Sequence, residues 1–359
     1  MSRSEIAAVE SQAKAAPPRW RLADVLSLAG PYLGLMLVVG LFSLLIWWSC
    51  DRVGEAGLEL FLSLDNLKLV MVQAAITAAV ALGMTIIMIS GGIDLSVGYV
   101  VSLVTVTTML AYRWADAIPS LAETASAWAI AAGLGTGLLF GWANGMLITR
   151  LRVVPFIVTL GTMGVARGLA RFLSKGETLA FPQGTEPPRW VDWLARLNPQ
   201  PRWLGIGPAA WSVVFLAVAV AVLLRYTVLG RYCYALGSNE ATARLCGIQV
   251  ERTKVILYTL AGLLTGWGGI LQFVRVGAGR HDVAAGLELE VIAAVVIGGG
   301  SLTGGEGTVT GTLVGALMIT VLSIGCAILR LPMEFRFIII GLIIVVVSAV
   351  NMWRQRQLR

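Results

Sequence analysis

Apolar and polar residues alternate in long blocks along this chain, and the apolar blocks run to about 20 residues, the length that carries a helix across bilayer hydrocarbon. Ten such spans are read, at 32–48, 67–90, 97–112, 127–149, 155–173, 209–224, 255–274, 289–298, 308–328 and 337–350. The eighth is too short to cross alone, so it must lean on 284–288 or bend into its successor. The expected fold is therefore an all-α polytopic membrane protein of about ten transmembrane helices.

Two polar interruptions stand out. "GGIDLSVG", from Gly91 to Gly98, and "GGGSLTGG", from Gly298 to Gly305, share the pattern Gly-Gly-x-(Asp/Ser)-Leu-(Ser/Thr)-x-Gly, and each separates two apolar runs. They make two Gly-rich helix breaks and suggest a parallel internal repeat of spans one to four with seven to ten. The alternative is coincidence, since Gly-rich breaks are frequent in membrane helices. Gly91 and Gly92 let the chain leave its helix, and Asp94 or Ser96 can accept from backbone N–H groups to cap the helix starting near Val97. An ionisable residue at such a place also fits a polar path, so Asp94 has two readings, structural cap or path lining. Gly98, Gly299, Ser301 and Thr303 complete the candidate path and break residues.

Between spans six and seven, "ALGSNEATARLCGIQVERTK" holds a different signal. Ser238 or Asn239 can cap a helix, Glu240 sits in its first turn, and Gly247 stops it. About two turns of helix are too few to persist alone in water, so the segment needs a partner surface. Its candidate contact residues are Gly237, Ser238, Asn239, Glu240, Ala241, Thr242, Ala243, Arg244, Leu245 and Gly247. Leu245, Cys246 and Ile248 form an apolar knob beside Arg244 and Glu251, suited to a groove on a soluble protein; resting on lipid headgroups is the alternative.

Composition agrees with the pattern: 57% of the 359 residues are hydrophobic and only 13% are charged, against about 25% charged in soluble domains. The net charge of +7 is spread over span ends rather than interleaved with aromatics, which favours positive-inside topology over nucleic-acid binding. Arg3, Lys14, Arg19 and Arg21, then Arg150 and Arg152, then Arg225, Arg231, Arg244, Arg252 and Lys254, and finally Arg354, Arg356 and Arg359 nominate one side as cytoplasmic. Both termini fall there, although Arg52, Arg113, Arg275, Arg280 and Arg330 lie on the other side. The resulting plan is a cytoplasmic tail at 1–26, a membrane domain at 27–350 with an external loop at 175–207 and a cytoplasmic loop at 225–254, and a short tail at 351–359.

The four cysteines show no disulfide or metal spacing, with Cys233 and Cys246 placed in one polar loop, and His281 is the only histidine. No metal site is expected. Arg167 and Arg171, one turn apart, are read as snorkelling to headgroups, with a path-lining pair as the alternative. Glu288 and Glu290, just before the eighth span, can hydrate an entrance, cap that helix or mark the external water boundary, and the boundary is the favoured reading. Lys14, Lys68, Lys175 and Lys254 all fail the P-loop test, which needs lysine directly after glycine, and "LTGGE" at 302–306 lies between two spans without a nucleotide-binding companion. No ATPase motif, and hence no enzyme, is expected in this chain.

Four stretches, "ALGMTIIMISGGIDLSVG" (81–98), "VPFIVTLGTMGVARGLA" (154–170), "ALGSNEATARLCGI" with "LAGLLTGWGGIL" (235–271) and "LELEVIAAVVIGGGSLTGGEGTVTGTLVGAL" (287–317), resemble the permease of ATP-binding-cassette importers of the ribose, xylose, arabinose and galactose type. Glu290 departs from the aspartate usual there, and Gly300 from the threonine. The resemblance implies a transporter of a monosaccharide, pentose or hexose, in the cytoplasmic (inner) membrane. It further implies a second permease copy or paralogue, an ABC ATPase subunit that binds ATP and Mg, and an extracytoplasmic sugar-binding protein. The segment 237–247 matches the family's coupling loop, and no cofactor is bound by the permease itself. Competing readings are an ion-coupled secondary transporter and a permease for a nucleoside or branched-chain amino acid.

Overall fold

The computed structural model describes residues 22–49, 56–182, 184, 186–197 and 205–357. Among these, the chain forms α1 (Leu22–Trp48), α2 (Ala56–Leu62), α3 (Leu64–Ile89), α4 (Val97–Asp116), α5 (Ala125–Leu151), α6 (Pro155–Leu173) and α7 (Arg189–Ala195). It continues through α8 (Pro208–Tyr226), α9 (Val228–Ser238), α10 (Glu240–Leu245), α11 (Val250–Val276), α12 (Leu287–Ile297), α13 (Val309–Ile328) and α14 (Met333–Gln357). The only β pairing among the described residues is the bridge Leu179–Gly279. The protein is an all-α polytopic membrane protein.

Every predicted span falls on a helix, and α1, α3, α5, α6, α8, α11 and α13 are long and apolar enough to cross a membrane. Several boundaries differ. α1 starts at Leu22, inside the segment expected as a tail, and α14 continues to Gln357, past the expected end at 350. Helices end where capping and hydrogen bonding stop, not where hydropathy does. Arg3, Lys14, Arg19, Arg21, Cys50 and Arg52 lie outside the described residues. The expected external loop contains α7, and the expected cytoplasmic loop is mostly helix.

Beyond Gln73, α3 is apolar almost all round, and this part is accordingly central: from Ala74 to Ile89 every residue is buried. α11 crosses α5 at glycines. A methyl on Gly137 or Gly141 would strike the backbone of Gly262, and one on Gly145 would come within 2.8 Å of Val255 Cα. In lipid, helices gain little from burying apolar surface against each other, so close backbone approach of this kind supplies the packing energy.

The short eighth span is completed by 277–286, which descends along α4 without helical structure and joins α12. Its freed backbone groups bond to hydroxyls instead of water. Thr105 Oγ1 donates to Arg280 O and accepts from Arg280 N–H, both at 3.0 Å, and Ala284 N–H donates to Ser102 Oγ at 3.1 Å. Non-helical backbone at membrane depth needs such partners. Glu290 therefore lies inside the bundle, 8% exposed and ion-paired to Arg336, rather than at a water boundary. Glu288 faces α4, where Gly98 leaves it room.

Thr105→Val removes both bonds to Arg280, and destabilisation of about 1–2 kcal/mol is expected in a reversible unfolding assay in detergent micelles. Gly141→Leu should abolish recovery of monodisperse protein, because the side chain meets backbone on α11; normal yield would contradict the described α5–α11 contact.

Candidate functional site

The two Gly-rich breaks close their helices in the same way. After α3, Gly91 takes a left-handed φ of +82°, Gly91 N–H donates to Met88 O at 3.0 Å and Gly92 N–H to Ile87 O at 3.0 Å. After α12, Gly299 takes φ +89°, Gly299 N–H donates to Val296 O at 3.0 Å and Gly300 N–H to Val295 O at 2.8 Å. This is the paired bonding by which a glycine ends a helix, and a side chain at either glycine would be strained. Gly298 is the residue before the turn, pressed against Gly311 on α13.

The polar residues also repeat. Ser96 donates its N–H at 2.8 Å and its hydroxyl at 2.6 Å to Asp94 Oδ1. In the second break Thr303 N–H donates to Ser301 Oγ at 3.2 Å, and the two hydroxyls bond at 2.7 Å. Asp94 is buried, 5% exposed, and its other oxygen accepts from Asn144 Nδ2 of α5 at 3.3 Å. The structural role of Asp94 is thus to hold the break. Ser96, considered as a cap for α4, makes no side-chain cap bond: its hydroxyl is already given to Asp94, and that same hydroxyl accepts from Asn144. α13, by contrast, starts with a true cap, Thr308 Oγ1 accepting from Gly311 N–H at 3.1 Å.

The breaks meet each other and α9 at one point. Gly305 N–H, in the second break, donates to Ile89 O at the end of α3 at 2.9 Å. Gly237, on the last turn of α9, fits between them only because it lacks a side chain: a methyl would overlap Ile89 O and stand 2.5 Å from Gly305 N. A methyl on Gly304 would be 2.8 Å from Gly237 O and 2.9 Å from Gly91 Cα. Tyr234 Oη donates to Gly307 O at 2.9 Å, and Cys233 Sγ donates to Ile86 O at 3.2 Å. Cys233, expected in a polar loop, is fully buried on α9, and burial pushes its thiol up to about 12. A turn of helix that looks like part of a loop in sequence is here locked into the membrane domain.

α10 follows without delay. Asn239 is its cap, with Oδ1 accepting from Thr242 N–H at 2.9 Å, whereas Ser238 closes α9. Gly247 at φ +83° ends it, with Gly247 N–H donating to Arg244 O and Ile248 N–H to Ala243 O, each at 3.1 Å. Ala243 is buried, and a chain of ion pairs ties α10 to α11: Lys254–Glu240 at 2.7 Å, Glu240–Arg244 at 3.7 Å and Arg244–Glu251 at 2.7 Å. Glu251 and then Glu240 hold the Arg244 guanidinium above its ordinary value. The two-turn helix is therefore partly stabilised by its own chain. Its outer side still carries Leu245, 89% exposed, beside exposed Ala241 and Cys246; Ile248, assigned to the same knob, instead packs half-buried on the core. A cavity of about 430 Å3 separates α10 from the α5–α6 turn, where Arg152 takes a left-handed φ of 53°.

Two residues essential to this geometry were not singled out in the sequence, Asn144 and Tyr234. Asn144 had a signal, being a lone amide within an apolar span; Tyr234 had none. Arg167 lies over the ring of Tyr99 at 5.4 Å, and Arg171 is exposed. Among the described residues no group of His, Cys, Asp and Glu could hold a metal ion.

Comparisons with known proteins agree with this architecture. The family described as branched-chain amino acid transport system / permease component matches residues 66–348. The chain is 35% identical over 297 residues to the ribose import permease protein RbsC of Escherichia coli strain K12, covering 82% of this chain and 88% of that one. It is 34% identical over 322 residues to RbsC of Bacillus subtilis strain 168, covering 90% and 92%. It is 32% identical over 291 residues to the autoinducer 2 import system permease protein LsrC of Photorhabdus luminescens, covering 80% and 82%. No solved structure matches. With the family's pattern running through most of the chain and on both sides of each break, this protein belongs to the permease components of ABC importers.

Proposed function

We propose that the chain is the membrane-spanning subunit of an ATP-driven importer that admits a monosaccharide, pentose or hexose, by alternating access. The observation that carries this reading is the junction of α9 with both helix breaks, because it joins the exposed α10 to the places where the membrane helices can bend. α10 is the docking point for an ABC ATPase subunit, with Leu245 as the apolar contact and the α10–α11 ion pairs as a stiff base. ATP and Mg are bound by that subunit, and this chain binds no cofactor. Two permease copies, or one copy and a paralogue, form the pore, and an extracytoplasmic sugar-binding protein delivers solute at the opposite end.

The sugar class is supported by the relatives whose names record import of ribose. Asp94 is not the free carboxylate that an ion-coupled carrier would use, since both of its oxygens are engaged by Ser96 and Asn144. The α10 end is cytoplasmic in this reading, the membrane is the cytoplasmic (inner) one, and both termini lie on the α10 side. Two contacts support this reading of the termini: Phe42 packs on Gly325 near the end of α13, and Arg336, in the first turn of α14, meets Glu290.

Leu245→Asp should abolish co-purification of the ATPase subunit; Gly237→Ala, whose methyl overlaps Ile89 O, should lower recovery of the complex and abolish uptake into proteoliposomes by the complex that is recovered, and wild-type uptake per recovered complex would contradict the junction's role. Asp94→Asn should retain uptake, since the amide oxygen still serves Ser96 and Asn144 Oδ1, which lacks a partner, can accept the new N–H after a flip; Asp94→Ala should lose it. Cys246 should react with an impermeant thiol reagent only from the cytoplasmic face, and reaction from outside would overturn the orientation.

A further inference from the structure

α6 buries one side only. Ala166 and Ala170 pack inward with Val100 and Leu103 of α4, whereas Ile157, Leu160, Gly161, Gly164, Gly168 and Arg171 stay exposed. At 3.6 residues per turn those six share one helix face. Arg167, also exposed, stands at its edge.

The place of Arg167 is the telling observation. It stands 12 residues after Pro155 and six before Leu173, about 18 and 9 Å along the helix at 1.5 Å per residue. Snorkelling would carry its guanidinium outward to the end of α6. Instead the guanidinium lies over the ring of Tyr99 at 5.4 Å. Tyr99 is the third residue of α4 and stands 14 residues before Arg113, about 21 Å along α4. Arg113 marks the outer end, where its Nε donates to Ala180 O. Among the described residues no carboxylate pairs with Arg167 or Arg171. A charged group at that depth faces water-filled space or protein, not hydrocarbon.

The rest of the face fits protein. A methyl at Gly161, Gly164 or Gly168 would meet nothing within 4 Å, whereas Gly137 and Gly141 of α5 sit against the backbone of α11. Each glycine inside a helix costs about 1 kcal/mol relative to alanine. On the open side of α6 the three give another helix the same close approach.

We infer that this face of α6 looks onto the translocation path, across from the α6 of a second copy of the chain, and that Arg167 contacts the solute there; the inference rests on the importer reading above. A two-fold pair presents the same patch from both copies. The inner half of the face, from Ile157 to Gly164, is apolar and small and can close, while like charges from Arg167 and Arg171 of both copies keep the outer half hydrated. The ring of Tyr99 fixes the guanidinium and leaves its N–H edges free for the hydroxyl oxygens of a solute. With no carboxylate paired to it, Arg167 suits solutes rich in acceptor oxygens and repels ammonium groups.

Two cysteine variants, in a background with Cys50 and Cys246 replaced by Ser, test this in the assembled transporter in proteoliposomes, with ribose and glucose as the solutes offered. Gly164→Cys should join two copies through a disulfide on mild oxidation, and Leu160→Cys carries the same test should Gly164→Cys fail to insert. Arg167→Cys should assemble at the wild-type level and take up sugar about tenfold more slowly, the loss of one charge-assisted hydrogen bond. Aminoethyl methanethiosulfonate, which returns a cation to that position, should restore part of the uptake, and the neutral methyl reagent should not. Absence of cross-linking at both positions, wild-type uptake by Arg167→Cys, or equal effects of the two reagents would overturn the proposal. Cross-linking at Gly164→Cys, with Arg167→Cys reacting from water, in a complex whose wild type admits neither sugar would support the α6 face and sink the importer reading instead.

Discussion

Backbone that leaves a helix inside a bilayer has only protein groups to bond, and that constraint shapes this molecule wherever its helices stop short. Three solutions appear. At the breaks after α3 and α12, glycines with positive φ return N–H groups to the helix they end. Along α4, Ser102 and Thr105 offer hydroxyls to a descending strand of backbone that no helix satisfies. Where the breaks meet, Ile89 O takes its hydrogen bond from Gly305 N–H, and α9 closes over both through Gly237. Each solution costs conformational freedom, and each is stable only because a second element covers it.

The same economy gives the fold its mechanical character. Side chains can adjust by rotamer changes, but three backbones in contact at Gly91, Gly237 and Gly304 have no such slack. Only the single extended residue Asn239 separates α10 from α9, so in the proposed coupling a force applied to α10 would pass into α9 and from there into the ends of α3 and α12. At the far end of α12 lies a polar cavity with Glu290 and Arg336. In the proposed reading, a soluble domain acting on Leu245 would have a short, stiff route to groups in the depth of the membrane domain.

Much of this was legible in the residues. The ten apolar segments, the two Gly-rich interruptions and the short capped helix around Glu240 are local features, set by periodicity, by the need for positive φ and by capping chemistry. What escaped depended on partners distant in the chain. α9 looks like a polar loop because Arg231 and Tyr232 dilute its apolar face, yet Cys233 and Leu236 bury against α3. Asp94 and Ser96 were equal candidates for a cap, and the choice between them was made by Asn144, 50 positions away on α5. Glu290 resembled a residue at the water's edge until 277–286 carried it inward and Arg336 met it. The repeated glycine motif shows the limit well: its side-chain bonds superimpose at Asp94 and Ser301, whereas its left-handed glycines, Gly91 and Gly299, are displaced by one position.

The central claim is that α10, α9 and the second break move as one body when nucleotide acts on the ATPase. Pulsed electron–electron spin distances report this directly, using labels at exposed Thr242 and Glu306, and a second pair at Thr242 and Asp282 across the membrane domain. The account predicts that the Thr242–Glu306 distance stays fixed between nucleotide-free and ATP-bound complexes while the Thr242–Asp282 distance changes. A Thr242–Glu306 distance that shifts with nucleotide would contradict it.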